Sequence, residues 1–215
     1  MTISSKWLGM LTVAMALAVG PAAEAAVTVF GFEGESTGTG LTSLTISQAG
    51  LTITITRPAA DTFGIADISP SVPSWGARTL EPFSGGTQGT AFLVNFSQAV
   101  SAVSIEAGDF NADFENGTQE IRAFAGLDAG GAFLGLDSDI WGAGDIGQGD
   151  PPMTLSVAAA GIRSIVFVGG STEFPQSLYW DNLSVTFDQR VPLPGTLLLL
   201  GAGLVVAQLR RARRA

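Results

Sequence analysis

The chain has 215 residues, room for one ordinary domain plus accessory segments, and it contains neither Cys nor His. Those absences exclude a disulfide framework, a thiolate zinc site, a Cys nucleophile and the commonest general base. Between residues 26 and 190 there are 18 acidic side chains against five Arg and no Lys, a net −13 that repels phosphate backbones and leaves no Schiff-base chemistry.

The first element in chain order is an address. Lys6 supplies a positive start, residues 7–20 are apolar but short for a membrane span, and Pro21 breaks the run. Ala23, Glu24 and Ala25 then form a small-x-small cleavage site, which predicts a signal peptide over residues 1–25 and a mature start at Ala26. An uncleaved N-terminal anchor is the alternative, and the short apolar run disfavours it. The expected partners here are the export machinery and signal peptidase.

Residues 26–190 read as an all-β body. Alternation is clearest in Leu-Thr-Ile-Thr-Ile-Thr at 51–56, with Leu51, Ile53 and Ile55 on one face. Strand-length runs also occur at 27–32, 41–46, 91–96, 100–106, 120–125, 133–136, 153–157, 163–168 and 178–187, mostly separated by Gly, Pro, Asn or Asp. About ten short strands without a long amphipathic helix predict a two-sheet antiparallel, jelly-roll-like sandwich. An N-terminal signal helix and a C-terminal transmembrane helix are expected to flank it.

Several side chains in the body invite a chemical reading. Trp75 and Trp141 sit in Pro- or Gly-rich loops, and Trp180 lies in the last strand. Aromatic rings beside Asp and Asn can stack on sugar faces, or simply close the ends of a sandwich. Asp109, Asp113 and Glu115 crowd one turn, where oxygen ligands can gather for Ca²⁺ or stand solvated. The Gly-rich run at 142–149 lacks the Lys-Ser/Thr ending of a phosphate loop. Asn95, Asn116 and Asn182 each begin an Asn-x-Ser/Thr triplet. Eighteen carboxylates always offer some pair, so a glycosidase is not signalled and no catalytic residue is assigned.

In the last strand, strict alternation puts Tyr179, Asp181, Leu183, Val185 and Phe187 on one apolar face, with Trp180 opposite. Asp181 therefore points inward. A buried carboxylate needs a cation or several hydrogen bonds, so Asp181 either meets a cation, caps backbone amides or pairs with an Arg. Glu33, at the end of the first strand, is its expected neighbour if the first and last strands lie side by side.

The C-terminal segment, 191–215, has its own logic. Val191, Pro192, Leu193, Pro194 and Gly195 lead into an apolar run ending at Leu209, followed by Arg210, Arg211, Arg213 and Arg214. Residues 193–209 would span about 25 Å as a helix, enough for a thin membrane crossing. The arginines would stay inside and the body outside. This tripartite tail strongly resembles the PEP-CTERM sorting signals, in the variant reading V-P-L-P. The resemblance implies an exosortase-like processing enzyme that acts near the proline motif, in bacteria that make exopolysaccharide and biofilm matrix. Leu193 stands where the commoner motif has Glu, which leaves open which enzyme acts. A plain tail anchor is the alternative.

The opening Phe-Glu and closing Trp-Asp-Asn-Leu strands resemble jelly-roll domains of the carbohydrate-binding-module type. That resemblance also takes in residues 100–113 and 127–135. It implies a structural calcium between the sheets, held by Glu33 and Asp181; Asp109 and Asp113, in the oxygen-rich turn above, are a separate and weaker calcium candidate. The expectation for the whole chain is a non-enzymatic, exported protein of the cell surface or extracellular matrix, associated with exopolysaccharide. A calcium-stabilised glycan-binding module using Trp75, Trp141 and Trp180 is the alternative.

Overall fold

The computed structural model describes residues 24–58, 61–68, 75–82, 90–108, 117–140, 152–170 and 176–189. Eleven strands lie among them: β1 (Glu24–Phe30), β2 (Gly38–Leu41), β3 (Ser43–Gln48), β4 (Leu51–Thr56), β5 (Phe63–Asp67) and β6 (Arg78–Glu81) in the first half. They are followed by β7 (Phe92–Gly108), β8 (Thr118–Phe124), β9 (Phe133–Ile140), β10 (Met153–Val168) and β11 (Tyr179–Gln189). The body is thus all-β and, in the pairs whose register is resolved, antiparallel. The segments expected to be the signal helix and the transmembrane helix lie outside the described residues, except that Glu24 and Ala25 fall within β1.

Two strands decide the architecture. β7 and β10 are 17 and 16 residues long and pair with each other from Met153↔Ala107 to Phe167↔Phe92. At one end of this ribbon β7 pairs β4, and β10 pairs β8, which carries β9. At the other end β7 pairs β11, which is joined to β6, β5 and β2, and also to β1. The hydrogen-bonded ladder is therefore continuous through all eleven strands, where the alternation pattern predicts two separate sheets. The ribbon bulges between Ala158 and Ser164, where Gly161 adopts φ 84°. A bulge bends a strand and adds twist, so one ribbon serves both halves of the body.

Sequence patterning predicts breaks near residues 97–99 and 158–162, and at both places the chain bulges instead of ending. The inward set of β7 shifts from Phe92, Val94 and Phe96 to Val103, Ile105 and Ala107 across the first of these. β5 and β6 are absent from the expected strands. They are only five and four residues long, with Gly64 and mixed polarity, and pairing with neighbours supplies what alternation does not.

One core cluster takes in residues from both halves, including Phe30, Ile53, Phe63, Leu80, Phe92, Ile105, Phe167, Trp180 and Val185. Rings run through its centre: Phe63 meets Phe92 edge-on at 5.6 Å, Phe92 stacks on Phe167 at 5.2 Å, and Phe167 meets Trp180 at 4.8 Å. Residues 25–187 form one compact unit.

Candidate functional site

The acidic candidates gather where β11 begins. β1 pairs β11, so the first and last strands are neighbours. Asp181 is 1% exposed, and its register partner across the ladder to β7 is Glu106. Asp181 Oδ1 accepts the Asn182 amide at 2.6 Å, while Oδ2 is buried without a hydrogen-bond partner. Glu33 lies in the turn after β1. Its Oε1 accepts the backbone amides of Ala77 at 2.7 Å and Arg78 at 3.0 Å. Gly76, at φ 79°, lies in the turn before β6, where a Cβ would strike the Glu33 carboxylate. Burial pushes the Asp181 carboxyl up to about 7; the Asn182 amide opposes this, and the charges of Glu33 and Glu106 reinforce it.

Glu106 and Asn182 complete this layer. Glu106 Oε2 accepts the Trp75 indole N–H at 2.7 Å and the Asn182 side-chain amide at 2.9 Å. Asn182 has φ 48°, and the pairing of β11 with β7 shifts register between Asp181 and Ser184. This bulge resets the alternation. Trp180, expected to face away from the apolar side, is instead 1% exposed and belongs to the core with Leu183 and Phe167. The signal was present in the sequence, since Asp-Asn inside a strand is a pair that favours bulges and tolerates positive φ. Glu106 carried no comparable signal.

Trp75 is 3% exposed and packs with Ile68, Ala66 and Tyr179. It lies so close to Gly108 that a Cβ there would come within 2.7 Å of its ring. Of the three expected sugar-stacking side chains, two are therefore buried, and Trp141 lies outside the described residues. Asp109, Asp113, Glu115 and Asn116, the Gly-rich run 142–149, the proline motif and the terminal arginines also lie outside them.

Calcium wants six to eight oxygen ligands. Glu33 and Glu106 each spend an oxygen on two N–H donors, and among the described residues no group of three or more carboxylates is arranged to hold a metal ion.

A second polar centre was not foreseen. The Arg57 side chain is fully buried. Its Nε donates to the Thr90 carbonyl at 2.6 Å, and its Nη1 donates to the Thr62 carbonyl at 3.3 Å and to that of Pro82. Its guanidinium lies 4.7 Å over the Phe92 ring and 3.8 Å from Asp61. Burial lowers its pKa, and Asp61 opposes that. Asp61 in turn accepts the Thr90 amide at 2.7 Å. Arg57 is a clamp on three loop segments.

Two of the triplet asparagines, Asn95 and Asn182, make structural contacts. The Asn95 amide donates to Asp128 Oδ1 at 2.7 Å and accepts the Asp128 backbone N–H at 2.8 Å. With Ser164 Oγ accepting from Ala129 and donating to Gly126, it fixes the β8–β9 hairpin against β7 and β10. The large apolar side chains left exposed among the described residues are Val27 and Val29 on β1, Leu127 between β8 and β9, and Phe133, Leu136 and Ile140 on β9. Among the described residues no helix is long and apolar enough to cross a membrane.

No family model matches the sequence, and no curated protein matches it significantly. Among solved structures, the K1 cleaved adhesin domain of Lys-gingipain from Porphyromonas gingivalis W83 matches with a TM-score of 0.41 and 13% identity, covering 72% of this chain and 100% of that one. Two variants of the family 29 carbohydrate-binding module CBM29-2 match at TM-scores of 0.30 and 0.27, with 13% and 14% identity. Each covers 77% of this chain, against 87% and 94% of the module, and the second is a complex with mannohexaose. Likenesses this distant do not say what this chain binds.

Proposed function

We propose that the chain is an exported, non-enzymatic protein of the cell surface or extracellular matrix, displayed through its C-terminal tail. The observation that carries the choice over a glycan-binding module is the burial of Trp75 and Trp180. A ring that stacks on sugar has to present a face to solvent. Here one ring is locked to Glu106 and the other lies in the core. The export and sorting parts of the reading are supported by the sequence of the two ends: Ala23 to Ala26 for the leader, Val191 to Gly195 and Arg210 to Arg214 for the tail. Exosortase-like processing would then release the body into a matrix containing exopolysaccharide.

The test is fractionation of the producing cells with and without residues 191–215, alongside binding of the exported protein to their exopolysaccharide. Loss of surface or matrix retention on removing the tail, with no saturable binding by the body, is the expected result. Saturable binding that falls on replacing Trp141 would restore the glycan-binding reading. Unchanged retention without the tail would end the sorting reading.

A further inference from the structure

Three residues, 190–192, separate the end of β11 from the apolar run that begins at Leu193, about 14 Å of fully extended chain. With that run in a bilayer, the lipid surface lies within this reach of Gln189. The strand beside β11 at this end is β1. Gly31, just past β1, lies against Asp181, with a would-be Cβ 3.8 Å from its Oδ1. β11 starts only two residues before Asp181, so β1, which pairs with it, runs toward the end of β11. The first residues of β1 therefore lie where the tail departs.

The outward face of the sheet here suits a lipid surface. Thr28 and Phe30 are buried, whereas Val27 and Val29 are 66% and 46% exposed. Across the ladder Thr186 pairs Ala102, which pairs Ala158, and the next row is Ser184, Ser104 and Ser156. A shallow groove lies over these two rows, which no large side chain covers. Neither row is charged; the acids on this face, Asp188 and Glu106, stand at its two ends. In a body with a net −13, this is the face that anionic headgroups repel least. We infer, on the reading of residues 193–209 as a membrane segment, that the outward face of β1, β11, β7 and β10 rests on the lipid surface while the tail is in place, with Val27 and Val29 in the interfacial layer. Two valines alone give a weak contact, and tethering by the tail makes it effective by raising the local concentration. Seated this way, the body holds Val191 to Gly195 at the bilayer surface.

The native chain has no Cys, so a single introduced cysteine can carry an environment-sensitive fluorophore. The full-length chain is reconstituted in phosphatidylcholine vesicles containing a lipid-borne quencher. It is labelled in turn at Ala158→Cys, at Thr45→Cys on the outward side of β3, and at Ala202→Cys in the apolar run. Ala158 is far from both terminal segments in sequence, so only seating of the folded body brings it to lipid. The expected result is a blue shift and loss of emission at 158 and 202, and neither at 45. Val27→Asp combined with Val29→Asp, both at exposed positions, should return the 158 probe to its emission in water and leave 202 quenched. A 158 probe in water while 202 is quenched overturns the seating alone and leaves display through the tail standing. No quenching at 202 overturns both. Equal quenching at 45 and 158, or a 158 signal indifferent to the two Asp substitutions, overturns the seating as well.

Discussion

Glu106 on β7 receives the indole N–H of Trp75 at 2.7 Å, and the same oxygen takes the side-chain amide of Asn182 on β11. One carboxylate thus ties a loop tryptophan to the edge where the first and last strands meet. That single tie removes Trp75 from the pool of sugar-binding candidates and makes it a structural cover.

Replacing Trp75 tests that role directly. Trp75→Phe keeps most of the ring packing but strips a hydrogen bond from a charged acceptor, a loss of about 2 kcal/mol. Trp75→Ala also opens a cavity against Gly108 and Ile68 and should cost about 3–5 kcal/mol. Urea unfolding checks both, and neither change should alter any interaction with exopolysaccharide while the chain stays folded.

Arg57→Met should be among the more damaging single changes. It leaves the carbonyls of Thr62, Pro82 and Thr90 without their donor and Asp61 without its cation, at a cost of about 3 kcal/mol. Chemical denaturation compares it with Arg57→Lys, which keeps the charge but cannot reach all three carbonyls and should fall between.

Gly76→Ala should destabilise by at least ~1–2 kcal/mol, because the backbone is left-handed at φ 79° and the added methyl meets the Glu33 carboxylate. A milder effect in the double variant with Glu33→Ala, read from melting temperatures, would separate the steric part from the backbone part.

The pH dependence has a definite sign. The folded chain holds the Asp181 proton to about 7, whereas the unfolded chain releases it near 3.8. The folded state binds more protons in that window, so stability is highest below about pH 4 and declines as pH rises to about 7 from this group alone. The decline is at most about 4 kcal/mol at 1.36 kcal/mol per unit. Asp181→Asn should flatten it, and thermal melts between pH 4 and 8 on both proteins measure the difference.

Much of the body was legible in the residues. The Leu-Thr-Ile-Thr-Ile-Thr alternation of β4 appears with its predicted bounds, and its three aliphatic side chains are buried. Asp181 is buried, but not beside Leu183, Val185 and Phe187 as strict alternation predicts: it pairs with Glu106, whose side chain meets Trp75, while Trp180 pairs with the core residue Ala107. Trp180 shows where such reading stops. A period-2 rule carries no information about a bulge, and one residue at φ 48° moved the ring from the expected outer face into the core.

By itself the sequence determined the chemistry the chain lacks, the β texture of its middle, and the two end segments on which its export reading rests. These are properties of residue type and local spacing, which need no knowledge of distant neighbours. Tertiary structure alone decided that β7 and β10 each run through both halves of the body, that Arg57 clamps loops more than 20 residues apart, and that Glu33, Glu106 and Asp181 form one layer. Each of those relations joins residues far apart in the chain, and the enclosing structure fixes whether a carboxylate there keeps its proton or a tryptophan meets solvent.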